Sequence, residues 1–254
     1  MEKDQAEDLI RRIKEISEKE TVASVNLSIS FGWEAKRSED QDIHEVFNRA
    51  EDYMYKKKLF EGPSMRGKTI GAIINTLHEK NPREEEHSQR VSDLSRRLAE
   101  VLCLSVREIE EIKTVGLLHD IGKIAIHEYL LNKPGKLTPE EFEEVQRHPE
   151  IGYRILSSVN DLAEMSEYVL AHHERWDGKG YPRGLTGEEI PLQARMIAIA
   201  DAYDAMTSER SYRTPLTEDE AVAELLRNAG TQFDPDLLRL FVEGVLYDRV
   251  NRER

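Results

Sequence analysis

Hydrophobic and polar positions change their rhythm once along the chain, near Gly62-Pro63-Ser64-Met65-Arg66-Gly67, where turn-forming residues cluster. Before it, Val25, Leu27, Ile29 and Phe31 alternate with Asn26, Ser28 and Ser30, the period of a half-buried strand. An amphipathic segment precedes that strand, from about Gln5 to Ser17. Another follows it, with Ile43, Val46, Phe47, Ala50, Tyr53 and Met54 at helical spacing. Helix, strand, helix is a fragment of an α/β unit.

Beyond the break nearly every signal is helical. Ser105 with Glu108, Thr138 with Glu141 and Thr217 with Glu220 form three capping boxes. Pro139 stands at a first helical position, where its missing N–H costs nothing, and Asp234-Pro235 opens the last helix in the same way. Gly230 is placed to close the helix begun at Thr217. Residues from about 68 to 248 are therefore expected to form an all-helical domain of about seven to nine helices. The chain as a whole is mainly α, with a small N-terminal α/β fragment.

Composition narrows the function classes. No apolar run approaches the roughly 18 residues that span a bilayer, and the start, MEKDQAEDLIRRIKE, lacks the apolar core of a secretory signal. The single cysteine, Cys103 in the run VLCL, is expected to be a small buried side chain. A cytoplasmic location is the expectation. A net charge of −14 argues against a broad basic face for DNA or RNA. It leaves room for a small anionic substrate, because bound divalent cations would reverse the local field.

Candidate chemistry lies with the histidines. His119-Asp120 ends the apolar helical pattern Ile112, Val115, Leu117, Leu118, and His172-His173 ends Tyr168-Val169-Leu170-Ala171. Asp201 follows Met196-Ile197-Ala198-Ile199-Ala200. Each is a metal-type ligand set in core-type sequence, costly to bury unless paired or bound to a cation. Taken alone, one buried histidine is more often a hydrogen-bonded core residue. Several on separate helices of one domain favour metal, and imidazole with carboxylate suits iron, manganese, zinc or nickel better than magnesium or calcium.

HDIGK (119–123), HHERWDGKGYP (172–182) and IADAYDAMTSERSYR (199–213) resemble the HD-GYP domain, a branch of the HD phosphohydrolases. HSQRV (87–91) and HPEIG (148–152) match its other motifs in order, and the resemblance runs from about Met65 to Tyr247. It implies a metal-dependent phosphodiesterase that hydrolyses the second messenger cyclic di-GMP to linear pGpG, with GMP as a further product left open. The implied metal ligands are His87, His119, Asp120, His148, His172, His173 and Asp201, with Asp120 bridging two ions. Iron or manganese comes first and nickel or zinc next. Two bridged cations can hold a hydroxide at neutral pH and neutralise phosphoryl charge.

Lys123 matches a proton donor or phosphate contact, so Asp120 and Lys123 are the implied catalytic pair. Gly180 and Tyr181 match the rim of the active site, and Arg210 and Arg213 match positions that grip phosphate. The ordinary alternatives are a surface turn for the glycine loop and pairing of the arginines with Glu209 or Asp204. Three-metal members carry a Glu four residues before the first ligand histidine, where this chain has Arg83. Glu84, one position on, is the candidate for a third metal, and a two-metal centre is expected. His44, His78 and His127 match no ligand position.

SVNLSISFG (24–32) followed by FNRAEDYMYKKKLFEG (47–62) resembles the C-terminal end of a GGDEF domain, without its signature or nucleotide-binding part. The expected division is thus a GGDEF-like remnant over 1–62 and an HD-GYP domain over 63–254, with a homodimer as an open assembly. Two other functions compete with the leading one. The site could cleave another cyclic nucleotide, or the chain could be a signalling module that binds a cyclic dinucleotide without turnover.

Overall fold

In the computed structural model the three capping boxes each close as the sequence requires, with the hydroxyl of Ser105, Thr138 or Thr217 accepting the N–H three residues on. The structure describes residues 82–133, 135–159, 162–208 and 214–247 throughout, together with 8–13, 16, 21–22, 25–26, 31–36, 38, 41–44, 46–47, 49–51, 54 and 75. The chain separates into two units, Met1–Asn75 and Thr76–Arg254.

The second unit contains nine α-helices among the described residues, as the helical pattern predicts. They are α1 (Pro82–Val101), α2 (Val106–Leu118), α3 (Glu128–Leu131), α4 (Pro139–Val145), α5 (His148–Ser157), α6 (Ala163–Ala171), α7 (Leu192–Thr207), α8 (Glu218–Arg227) and α9 (Pro235–Leu240). A 3₁₀ turn, Ile121–Ala125, follows α2, and a π-helical segment, Phe241–Tyr247, continues α9.

Helix α7 is the hub. Its Ala194, Met196, Ile197, Ile199 and Ala200 are fully buried, as expected of a helix that is apolar nearly all round. It packs against α1, α2, α6, α8 and α9. Helices α1 and α2 lie close because Gly116 admits Ser92. A Cβ at Gly116 would sit 2.6 Å from the Ser92 Cα, and Ser92 Oγ donates to the Lys113 carbonyl at 2.9 Å. The 3₁₀ turn rests on α5 at Gly122, where a Cβ would come within 2.0 Å of the His148 carbonyl oxygen. Short helices α3 and α4 pack on each other, and α4 has no buried residue.

Two expectations at helix ends change. Cys103 is exposed, with φ +53°. Helix α1 stops at Val101, and Leu104 N–H bonds to the Ala99 carbonyl while Cys103 N–H bonds to that of Glu100. That pair of bonds is a Schellman motif, and it puts Cys103 at the left-handed position usually held by glycine. Cys103→Gly is therefore expected to raise stability by about 0.5–1 kcal/mol, read as a higher urea midpoint. An unchanged or lower midpoint would contradict the strain. The helix begun at Thr217 ends at Arg227 with Asn228 as its cap, and Gly230 (φ +72°) turns the chain just beyond it.

In the first unit, β1 (Thr21–Val22) and β2 (Val25–Asn26) pair antiparallel, with Val22 opposite Val25. Residues 27–30 of the expected strand lie outside the described residues, and Phe31 falls in irregular structure. Residues 43–44, 46–47, 49–51 and 54 are helical. Their apolar stripe is covered on one side only: Val46 is buried, whereas Ile43 and Phe47 are 59% and 66% exposed. No helix among the described residues is long and apolar enough to cross a membrane.

Candidate metal centre

Five helices deliver the candidate ligands to one place. His87 lies in the second turn of α1. His119 caps the C-terminus of α2 with Asp120 next to it, His148 begins α5, His172 caps α6 with His173 following, and Asp201 lies within α7. The donor atoms of His87, His119 and Asp201 all lie within 4.8 Å of one another, and so do those of His148, His172 and His173.

Asp120 stands between the two groups. Its Oδ2 is 3.3 Å from His119 Nε2 and 3.7 Å from His87 Nε2, and its Oδ1 is 3.3 Å from His148 Nε2. One carboxylate oxygen faces each group.

Tautomers settle which ring nitrogens are free. The Nδ1–H groups of His119, His148 and His172 donate to the carbonyls of Gly116, Val145 and Val169, at 2.8, 2.7 and 2.6 Å. Each carbonyl lies three residues upstream in the turn that ends at or adjoins the histidine, so helix geometry sets the orientation. In the neutral ring Nε2 is then a bare lone pair, the form in which imidazole binds metal. His119 Nε2 is buried with no hydrogen-bond partner. His148 Nε2 and His172 Nε2 face each other at 3.3 Å, two lone pairs with no proton between them. An orphaned acceptor and an opposed pair of acceptors are unfavourable in a dry interior and become favourable around a cation. The residues fit divalent metal in both groups.

The two groups differ electrostatically. Burial alone would lower the His87 pKa, but hydrogen bonds to Asp201 and Asp204 outweigh it and raise it to about 10. His119 is also pushed up, the adjacent Asp120 charge overcoming burial. Asp120 and Asp201 stay well below the usual carboxylate range despite burial, held there chiefly by Lys123 and His119 for the first and by His87 for the second. Across the site the shifts run the other way. Burial, then neighbouring imidazoles, push His172 well down and His173 down to about 3, and burial lowers His148.

Metal must therefore displace a proton from His87. Because the folded pKa is raised from 6.5 to about 10, the protonated form stabilises the metal-free fold fully below pH 6.5, and that contribution fades as pH rises through about 10. Metal affinity at this group is thus expected to climb by up to about tenfold per pH unit between those limits. Titrations at pH 7 and pH 8.5 check this, and a flat profile would contradict it.

Two residues around the centre escaped the sequence reading. Asp204, buried on α7, accepts from His87 Nδ1 at 2.7 Å and from Arg90 at 2.5 and 3.2 Å. It orients the ligand ring, as carboxylates behind metal-bound histidines do. Only its place three residues after Asp201, on the same helix face, hinted at this. Glu174, also buried, accepts backbone N–H groups of Arg183, Gly184 and Leu185 at 2.7, 3.2 and 3.0 Å. It ties down the glycine-rich loop. Within that loop Gly178 has φ +75°, and a Cβ on Gly180 would lie 2.4 Å from Arg175 N. Only glycine fits there.

The remaining candidates are placed as follows. Lys123 Nζ reaches Asp120 Oδ2 at 2.6 Å and both Glu84 oxygens at 3.1 and 3.3 Å, so Glu84 serves Lys123 here. Tyr181 stacks on His173 with ring centroids 4.9 Å apart. Arg210, Arg213 and His78 lie outside the described residues. His44 and His127 are exposed, and neither belongs to the two donor groups.

Residues 71–237 match the family described as HD domain. The chain is 40% identical over 220 residues to a cyclic di-GMP phosphodiesterase of Thermotoga maritima, covering 85% of this chain and 56% of that protein. It is 35% identical over 256 residues to 3'3'-cGAMP-specific phosphodiesterase 2 of Vibrio cholerae, covering 93% and 49%. The chain thus spans about half the length of these relatives. Its fold is similar to that of Bd1817, a HDG"Y"P protein from Bdellovibrio bacteriovorus, with a TM-score of 0.59 at 16% identity over 94% of this chain and 78% of that one. With the matching residues enclosing the two donor groups and Asp120 between them, the chain belongs to the HD domain family.

Proposed function

We propose that this chain is a metal-dependent phosphodiesterase of the HD-GYP branch that hydrolyses cyclic di-GMP to linear pGpG, with GMP as a further product left open. The observation that carries the reading is the placement of Asp120, one oxygen towards each donor group. Its relatives named as cyclic di-GMP phosphodiesterases support the substrate. We take two ions as the stoichiometry, iron or manganese before nickel or zinc, held by His87, His119, Asp120 and Asp201 on one side and Asp120, His148, His172 and His173 on the other. Bound there, such ions would supply Lewis acidity towards the phosphoryl oxygens and lower the pKa of water.

The side chains take the remaining tasks. Asp204 and the carbonyls of Gly116, Val145 and Val169 hold the rings in register. Lys123, a cation beside Asp120, is placed to meet phosphate charge or to protonate the departing 3′ oxygen. Arg210 and Arg213 are assigned the outer phosphate oxygens. Glu84, engaged with Lys123, is a poor third-metal ligand in this arrangement.

We further assign 63–254 to the phosphodiesterase domain and 1–62 to a GGDEF-like remnant without cyclase activity, and we place the protein in the cytoplasm as a homodimer. DNA and RNA are poor partners for a chain of charge −14.

Metal-reconstituted protein incubated with cyclic di-GMP, its products resolved by chromatography, tests the proposal. The expected product is pGpG, lost in His119→Ala. Binding without any product would overturn it. The 35% identity to a 3'3'-cGAMP-specific enzyme favours a second substrate in the same class, so 3'3'-cGAMP belongs in the same assay. A faster rate on it would replace cyclic di-GMP in the assignment.

A further inference from the structure

Helix α4 is a seven-residue helix with no buried position, yet it carries Phe142 with 48% of its surface exposed. An aromatic side chain spent in this way adds little to folding. Its location gives it a use. The Phe142 ring meets Tyr181 edge-to-face, with centroids 6.5 Å apart and planes at 81°, and Tyr181 in turn lies against His173 at 4.9 Å with the rings tilted by 31°. Phe142 is therefore two ring contacts from the three-histidine group, at the end of an aromatic row that leads outward from it.

The helix is also held in place for its size. Thr138 and Glu141 close the capping box, and Lys133 bonds to Glu141 at 2.5 Å. Glu140, Glu141, Glu143 and Glu144 surround Phe142 in sequence, a local charge unfavourable to phosphate. A ligand reaching from the metal centre to α4 must present a flat, uncharged part there. Resting on the function proposed above, we propose that Phe142, continuing from Tyr181, is a stacking surface for one purine base of the cyclic dinucleotide. Phosphate sits at the donor groups and the base extends along the aromatic row. Stacking of this kind acts on ground state and transition state alike, so it governs KM.

Steady-state kinetics of the metal-loaded full chain on cyclic di-GMP, with Phe142→Ala, Phe142→Leu and Phe142→Trp, tests this. Phe142→Ala is expected to raise KM about tenfold, the usual scale for losing one base–aromatic contact, with the loss falling on KM more than on kcat. Phe142→Trp restores KM, and Phe142→Leu, apolar but without a π face, does not. Metal content and melting temperature, measured on each variant, show whether the site remains intact. An unchanged KM in Phe142→Ala overturns the stacking role while leaving the phosphodiesterase reading in place. Equal rescue by Leu, or a loss confined to kcat, also overturns it. Wild-type protein that neither binds nor cleaves cyclic di-GMP or 3'3'-cGAMP overturns both.

Discussion

Asp120→Asn is expected to reduce phosphodiester turnover on the order of a thousandfold, because one substitution removes the group shared by both halves of the site. The amide keeps the shape of the carboxylate, so the fold should survive. What changes is charge. An Asn can present one oxygen and one NH₂ group, and whichever half receives the NH₂ loses a ligand and gains a donor pointed at a cation. Oδ1 faces His148 and Oδ2 faces His119 and His87, so neither orientation serves both. Lys123 also loses the charge of its 2.6 Å partner and keeps its ion pair with Glu84. Bound metal should fall below two equivalents together with activity. Turnover within tenfold of wild type at unchanged metal content would remove Asp120 from the mechanism.

Gly122→Ala is expected to destabilise the second unit by about 3 kcal/mol or more, the scale of a forced backbone clash in a packed core. The added Cβ would meet the His148 carbonyl oxygen at 2.0 Å and Gly152 N at 2.7 Å. Both are backbone atoms and cannot rotate aside. The 3₁₀ turn and α5 would have to separate, drawing His148 away from Asp120. A melting temperature lower by roughly 6–12 °C is the expected reading for a unit of this size, with metal lost first from the His148 side. Gly152→Ala is the matched comparison. Its Cβ would meet side-chain methyls, Val169 Cγ1 at 3.0 Å and Ile121 Cγ2 at 3.4 Å, and these can shift. A cost near 1 kcal/mol is expected there. Equal effects of the two substitutions would contradict the packing account.

The helices were legible because local chemistry announces them. Ser105, Thr138 and Thr217 each stand three residues before a glutamate, and that spacing has one structural meaning. His119, Asp120, His172, His173 and Asp201 were legible for another reason: ionisable groups recur at the ends of, or within, apolar helical runs, whereas His87 and His148 stand in polar sequence and were named only through the resemblance to the HD-GYP motifs. Their supports were not legible. Asp204 acts on a ring 117 positions away, and nothing in DAYDAM states which aspartate faces a metal and which stands behind a ligand. Glu174 reads as one more charged loop residue until the N–H groups nine to eleven positions later fold back on it. Cys103 misled because VLCL reads as core, although α1 ends inside that run.

The measurement closest to the central claim is anomalous diffraction from crystals of metal-loaded protein. Two peaks are predicted, one among His87, His119 and Asp201 and one among His148, His172 and His173, with one Asp120 oxygen directed at each. A single peak, or a fully loaded protein in which the three-histidine group stays empty, would contradict it.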